Sequence, residues 1–294
     1  MAGCRVEFSL LQENSGVDRG GGAHSSTLID CTLAANTLIR SGLGAGAYDS
    51  TLERCLVTRN TGYYFYEPDS RAVDGGGVAF SRLLNCLVIS NSVSEDGGGG
   101  GCYLSGLTNC TVVGNYGGYA GGILGGTAVN CIVYANQGGY KNHYPGLGVF
   151  QNTCTFPMPI NGIGNITNEP AFVDAAAGNY RLRPGSPCID AGADVSDLVS
   201  LDFDGLGRPV DGNRDGEDAF DMGAYEFTAL FFTSITRIGS NVRVSWFDSP
   251  VGAELQAASS LEDPVWMVVP IAEGTNCVEL PLDSGNMFFR LMKP

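Results

Sequence analysis

A short phrase recurs five times in the first half of this chain, and it leaves few folds open. It reads Asp30-Cys31-Thr32-Leu33-Ala34-Ala35-Asn36, then Arg54-Cys55-Leu56-Val57-Thr58-Arg59-Asn60. It returns as Asn85-Cys86-Leu87-Val88-Ile89-Ser90-Asn91, as Asn109-Cys110-Thr111-Val112-Val113-Gly114-Asn115 and as Asn130-Cys131-Ile132-Val133-Tyr134-Ala135-Asn136. Successive cysteines are 24, 31, 24 and 21 residues apart, and the asparagines keep the same spacing. A weaker earlier copy puts Ser9, Leu11 and Asn14 in the three key slots. Glycine steps such as Gly20-Gly21-Gly22, Gly75-Gly76-Gly77, Gly99-Gly100-Gly101 and Gly121-Gly122 precede most copies. Repeats of about 20–50 residues belong to solenoids, propellers or arrays.

Within the phrase, Cys and the aliphatic residue two places on share one parity, which is the period of a strand. No stretch between copies keeps a helical period, and each glycine in a helix costs roughly 1 kcal/mol against alanine. One strand per phrase, a second short strand after the glycines and turns between them make one coil of a parallel β-helix, with coils about 4.8 Å apart. Cys31, Cys55, Cys86, Cys110 and Cys131 are then expected to point inward as a ladder, beside Leu33, Val57, Val88, Val112 and Val133. Asn36, Asn60, Asn91, Asn115 and Asn136 are expected to end their strands at positive φ, with each side-chain amide donating to the next coil.

Composition agrees with an ordered, acidic β protein. The chain has 43 glycines among 294 residues, about twice the usual ~7 %. A net charge of −15 lacks the basic footprint of a nucleic-acid binder and suits a soluble exported protein or one that holds cations. Of the ten cysteines, the five in the ladder are expected reduced, because parallel in-register side chains are poorly aimed for the disulfide dihedral. Cys154 and Cys188 lie outside the ladder and are candidates for a bridge; Cys4, Cys102 and Cys277 have no evident partner. No apolar run of about 18 residues exists, so no membrane span is expected. Met1 leads almost directly into strand-like sequence, without a signal peptide, and the natural N-terminus is expected upstream.

After about residue 140 the repeat stops and prolines appear. Gly164-Asn165-Ile166-Thr167-Asn168-Glu169-Pro170-Ala171-Phe172-Val173-Asp174 is followed by Gly178-Asn179-Tyr180-Arg181-Leu182 and Pro184-Gly185-Ser186-Pro187-Cys188-Ile189-Asp190-Ala191-Gly192. Asp202-Phe203-Asp204-Gly205 with Arg208, then Asp221-Met222-Gly223-Ala224-Tyr225-Glu226, complete the run. It resembles the C-terminal end of secreted right-handed parallel β-helix proteins of the pectin-lyase-like superfamily, in particular those with a choice-of-anchor Q domain. The resemblance spans roughly residues 1–228 and implies handedness, export and an extracellular or cell-surface setting. It implies no defined reaction.

Residues 229–294 read as a separate small β-sandwich of immunoglobulin or fibronectin type. Short strands alternate with turns, Asn241-Val242-Arg243-Val244-Ser245-Trp246 alternates cleanly, and Trp246 and Trp266 are expected to fill the core. The expected fold class is therefore all-β: a right-handed parallel β-helix of six or seven coils over 1–228, with an irregular closing segment at about 141–228, then the sandwich. A monomer is expected.

Chemistry is sparser than architecture. The paired aspartates, Gly-His-Gly and Arg-x-Lys that the resembling hydrolases carry are missing, and His24 and His143 are the only histidines. A lyase would need Ca2+ held by carboxylates such as Asp74, Glu95 and Asp96, with Arg71, Lys141 or His143 as base. Aromatic residues are more suggestive. Tyr63, Tyr64, Phe65, Tyr66, Tyr116, Tyr119, Tyr140 and Tyr144 all follow ladder asparagines. Such rings can stack on sugar faces and hydrogen-bond through the phenol, or pack on one another to seal loops. A polysaccharide or cell-surface glycan is the expected partner, with a truncated lyase or hydrolase as the alternative. Asp211, Asn213, Asp215 and Glu217 lie in a run resembling the start of a Ca2+ loop, but Met222 stands where the bidentate acid belongs.

Overall fold

The computed structural model describes residues 2–39, 42–63, 73–144, 146–213, 215–228, 232–246, 254–260, 264–270, 277–281 and 287–292. The chain divides into two compact units, Met1–Phe227 and Thr228–Pro294. Among the described residues every helix or strand element is a β-strand, and no helix is long and apolar enough to cross a membrane.

The first unit is a parallel β-helix. Its phrases form a seven-stranded sheet in which Leu10–Gln12, Thr32–Ala34, Leu56–Thr58, Leu87–Ile89, Thr111–Val113, Ile132–Tyr134 and Cys154–Thr155 stack in order. Register is unbroken: Leu11, Leu33, Val57, Val88, Val112 and Val133 are successive partners. The five ladder cysteines are buried free thiols in the same core. Each coil passes through three main sheets, where two strands per coil were expected. An 11-stranded sheet precedes the phrase, and a six-stranded sheet begins one residue after the asparagine, as in Thr37–Ile39 and Thr61–Tyr63.

The asparagine ladder has seven members. Asn14 donates to Asn36, Asn36 to Asn60, Asn60 to Asn91, Asn91 to Asn115, Asn115 to Asn136 and Asn136 to Asn142, all at 2.8–3.2 Å. Each acceptor oxygen also takes the backbone N–H of the previous asparagine, as Asn91 does from Asn60 at 3.0 Å. The second amide hydrogen goes to a carbonyl of the preceding coil, as from Asn91 to Val57 at 2.9 Å. The positive φ falls elsewhere than expected. Ala35, Arg59, Ser90, Gly114 and Ala135, each one residue earlier, hold it, and so do Asp30, Arg54, Asn85, Asn109 and Asn130 before the cysteines. The corner is turned just before the asparagine, which keeps its own backbone free to aim the amide along the stack.

Two further columns run beside it. Ser26, Ser50, Ser81 and Ser105 each stand five residues before a ladder cysteine. Backbone N–H groups of the first three donate to the next serine's Oγ at 3.1 Å. The glycine corners stack because nothing larger fits. A Cβ on Gly76 or Gly77 would come within 2.5 Å of the carbonyl oxygen of Gly100 or Gly101 respectively.

Residues 164–227 do not plug an end of the solenoid. They lie against the outer face of the phrase sheet. Leu87 and Val113 pack with Tyr180, Ala224 and Tyr225, and Ile132 packs with Leu182, Cys188 and Met222. Arg208 and Glu226 form a fully buried ion pair at 2.8 Å. Arg208 also donates to Asn85 Oδ1 at 2.9 Å and to the Asp221 carbonyl at 2.9 Å. Asp221 accepts backbone N–H groups from Asp190 and Phe227, and Asp202 accepts those of Asp204, Leu206 and Glu226. Burial pushes the Asp221 and Asp202 carboxyls up, and the neighbouring Glu226 adds to the effect at Asp221. Asn109, Asn130 and Asn152 reach from successive coils to the carbonyls of Asp221, Ala193 and Ala191. The segment is thus docked coil by coil.

The second unit is a small sandwich of two antiparallel sheets. Phe232–Ile238, Asn241–Trp246 and Cys277–Pro281 form one; Met267–Val268, Glu254–Ala258 and Phe288–Met292 form the other. Val244, Trp246 and Leu255 centre its core. Trp266 does not join them. It lies half-buried under the Arg290 guanidinium, 4.3 Å from ring centroid to carbon.

Two substitutions test this architecture by urea unfolding. Asn91→Ala strips four buried ladder bonds and is expected to cost about 3–5 kcal/mol, whereas Asn14→Ala at the exposed end should cost about 1 kcal/mol. Arg208→Ala leaves Glu226 buried without its partner and is expected to cost about 3–5 kcal/mol. Equal, small losses at Asn91 and Asn14 would contradict the ladder's role.

Candidate functional site

Tyr63, Tyr116, Tyr119, Tyr140 and Tyr144 share one side of the solenoid. Tyr63 and Tyr116 belong to strands of the post-asparagine sheet rather than to loops, because pairing resumes as soon as the ladder residue is passed. Register places Thr61, Ser92, Tyr116 and Gln137 in one row across four coils. Tyr119 and Tyr140 occupy the turns beyond, joined by a backbone bond from Tyr140 N–H to the Tyr119 carbonyl at 2.7 Å. Tyr144 meets the Tyr140 ring edge-on at 4.6 Å. Tyr63, Tyr116, Tyr119 and Tyr140 are 51, 39, 57 and 45 % exposed. Tyr64, Phe65 and Tyr66 lie outside the described residues.

A second aromatic surface was not foreseen. His24, Tyr48, Phe80 and Tyr103 form a column on four successive coils of the 11-stranded sheet, with ring centroids 5.2, 5.8 and 5.6 Å apart. The Arg19 guanidinium sits 5.1 Å from the Tyr48 centroid. His24, Tyr48 and Tyr103 each stand seven residues before a ladder cysteine, a signal readable once the phrases are aligned. Phe80 is one place out of phase and enters the column from a left-handed corner with φ of 51°, equivalent to those of Ser25, Asp49 and Leu104 at 44–48°.

The groups considered for acid–base chemistry disperse. His143 is fully buried in the last coil, against Phe150 at 4.8 Å, with Nδ1 3.1 Å from Thr155 Oγ1 and Nε2 unpartnered. Its ring is closed off from solvent and cannot serve as a base toward a bound sugar. A parallel bridge pairs His143 with Ile123, which is buried in the solenoid core, so the ring takes that inward column. Asp74 accepts the Gly98 N–H at 2.7 Å and its carboxyl is raised by burial, while Glu95, Asp96 and Lys141 are exposed. Arg71 lies outside the described residues.

In the 211–218 run, Asp211 accepts backbone N–H groups of Asp215 and Gly216, Asn213 accepts that of Asp215, and Asp215 accepts that of Glu217. Asp190 takes the N–H groups of Gly212 and Asn213. These bonds build turns. Among the described residues no group of three or more His, Cys, Asp or Glu side chains is placed to hold a metal ion.

No protein-family model matches the chain, and no curated protein matches it. Among solved structures it is similar to a crystal structure of pectate lyase Pel9A, with 13 % identity and a TM-score of 0.36. The match covers 76 % of this chain and 65 % of that one, so the chain spans less than two thirds of that structure's length. A likeness at this level carries no argument about reaction or substrate. The parallel β-helix itself is read from the strand registers above.

His143 generates a pH prediction. Burial lowers its pKa to about 4, whereas the unfolded imidazole titrates near 6.5. Between those values the unfolded chain binds more protons, so stability falls as pH drops from about 6.5 to 4, by up to about 3 kcal/mol. The wild-type minus His143→Gln difference in unfolding free energy, measured at pH 7.5 and 4.5, should shrink by most of that amount; an unchanged difference refutes it.

Proposed function

We propose that this protein is an exported or cell-surface scaffold that binds polysaccharide through outward-facing aromatic rings. The observation that carries the reading is the exposure of Tyr63, Tyr116, Tyr119 and Tyr140 on one side of the solenoid. Rings packed only to seal loops would be covered, and these are 39–57 % exposed. Each offers an apolar face for a sugar ring and a phenol for its hydroxyls. The repeating coil sets such rings at intervals of about 4.8 Å or its multiples, which suits a linear, repeating ligand. The column His24–Tyr48–Phe80–Tyr103 offers the same chemistry on another sheet. The choice-of-anchor Q resemblance of residues 164–226 supports the extracellular setting, and the small sandwich serves as a spacer or cap.

Affinity electrophoresis and glycan arrays test the reading. Tyr116→Ala, Tyr119→Ala and Tyr140→Ala should each weaken binding about 3- to 10-fold and together abolish it, with folding unchanged because all three rings are exposed. Wild-type protein that binds no glycan, or a triple variant that binds normally, refutes it. Release of unsaturated sugars, seen as new ultraviolet absorbance, would replace binding by lyase action.

A further inference from the structure

Two cysteines outside the ladder behave unlike the rest. Cys154 follows the repeat but is out of phase with it. Thr153 takes the ladder slot, accepting the Cys131 N–H through Oγ1 at 3.4 Å. Register pairs Cys154 with Ile132, whose side chain points out of the solenoid onto the closing segment. Cys188 arrives from that segment. Both are fully buried in one apolar cluster with Ile132, Leu182 and Met222, and the neighbouring Cys154 thiol, together with burial, pushes the Cys188 pKa up. The Cys154 thiol also lies 3.1 Å from the Asn168 carbonyl.

The ladder thiols have a different geometry. They project in parallel from adjacent strands, and Cys86 and Cys110 sulfurs accept the backbone N–H of the preceding coil's cysteine at 3.4 Å. Side chains aimed alike are badly placed for a disulfide dihedral near 90°. Cys154 and Cys188 instead approach from two opposed layers. Cys102 is buried, and Cys4 and Cys277 are exposed.

We propose that Cys154 and Cys188 join in a disulfide when the chain folds in the presence of a small-molecule disulfide oxidant, stapling the closing segment to the last coil. The exchange balances. The two protein thiols lose two protons and two electrons and form one S–S bond; the oxidant's S–S bond is cleaved and takes them up as two thiols. Because both sulfurs are buried in the folded chain, the exchange belongs to folding or to transient undocking of the segment. The ladder thiols stay reduced, since in-register side chains projecting in parallel are badly placed for the disulfide dihedral.

The full-length protein is refolded in a mixture of oxidised and reduced glutathione, and in parallel under reducing conditions. Each sample is denatured, alkylated without reduction, digested and analysed by mass spectrometry. The expected result is a Cys154–Cys188 linked peptide pair only in the oxidised sample, with all five ladder cysteines alkylated in both. The oxidised protein should unfold at a temperature higher by roughly 10 °C, and Cys188→Ser should abolish that rise. Alkylation of Cys154 and Cys188 after oxidative refolding, or their pairing with Cys4, Cys277 or a ladder cysteine, overturns the proposal. The peptide result needs no variant, so a Cys188→Ser chain that fails to fold leaves it decisive.

Discussion

The hydrogen bond between one buried asparagine amide and the next holds the solenoid in register. A parallel strand pair leaves no tight hairpin to set its alignment. Slipping by one residue would turn the cysteines and valines outward. The amide of Asn60 or Asn91 prevents this by bonding the previous coil's side chain, its backbone and a carbonyl beneath it. An amide buried without partners costs about 1–3 kcal/mol per group, so only one alignment satisfies them all. That cost also explains how Ala35, Arg59 and Ala135 keep left-handed corners, which disfavour L-residues by roughly 1–2 kcal/mol.

The same register makes every outward position a column. Some columns are closed by the chain itself. Asn85, Asn109, Asn130 and Asn152 hold the closing segment, and Leu87, Val113 and Ile132 give it an apolar bed. In the second and third coils the equivalent positions are Asp30 and Arg54, which instead form a 2.8 Å ion pair with each other. Other columns stay open to solvent, among them the tyrosines of the post-asparagine sheet and the rings of His24, Tyr48, Phe80 and Tyr103. A fold that repeats its backbone repeats its surface chemistry, and a repeating polymer is the natural counterpart of the open columns.

The specific phrases of residues 188–226 are explained by the docked segment. Asp190, Asp202, Asp221 and Glu226 are acceptors for backbone N–H groups that would otherwise be buried unpaired, and Arg208 neutralises part of their charge. They are a structural clasp around an irregular chain, which has no ladder to satisfy its amides. Acidic residues in this part of the protein are therefore spent on folding.

Much of this was legible in the residues alone, because period and spacing are local properties. The stacked phrases, the inward cysteines and the amide ladder follow from intervals shared by Cys31 to Cys131 and Asn36 to Asn136, and the strands of the second unit from alternation such as that of Asn241 to Trp246. Even the docked segment left a trace: Leu87-Val88-Ile89 and Ile132-Val133-Tyr134 are apolar on both faces, as strands covered on both sides are. What the tertiary structure alone decided was who faces whom across non-repeating distances. His143 turned inward and left the surface, and Trp266 lay outside its core. Those outcomes depend on how an aperiodic segment packs against a periodic one, and no interval in a sequence encodes that.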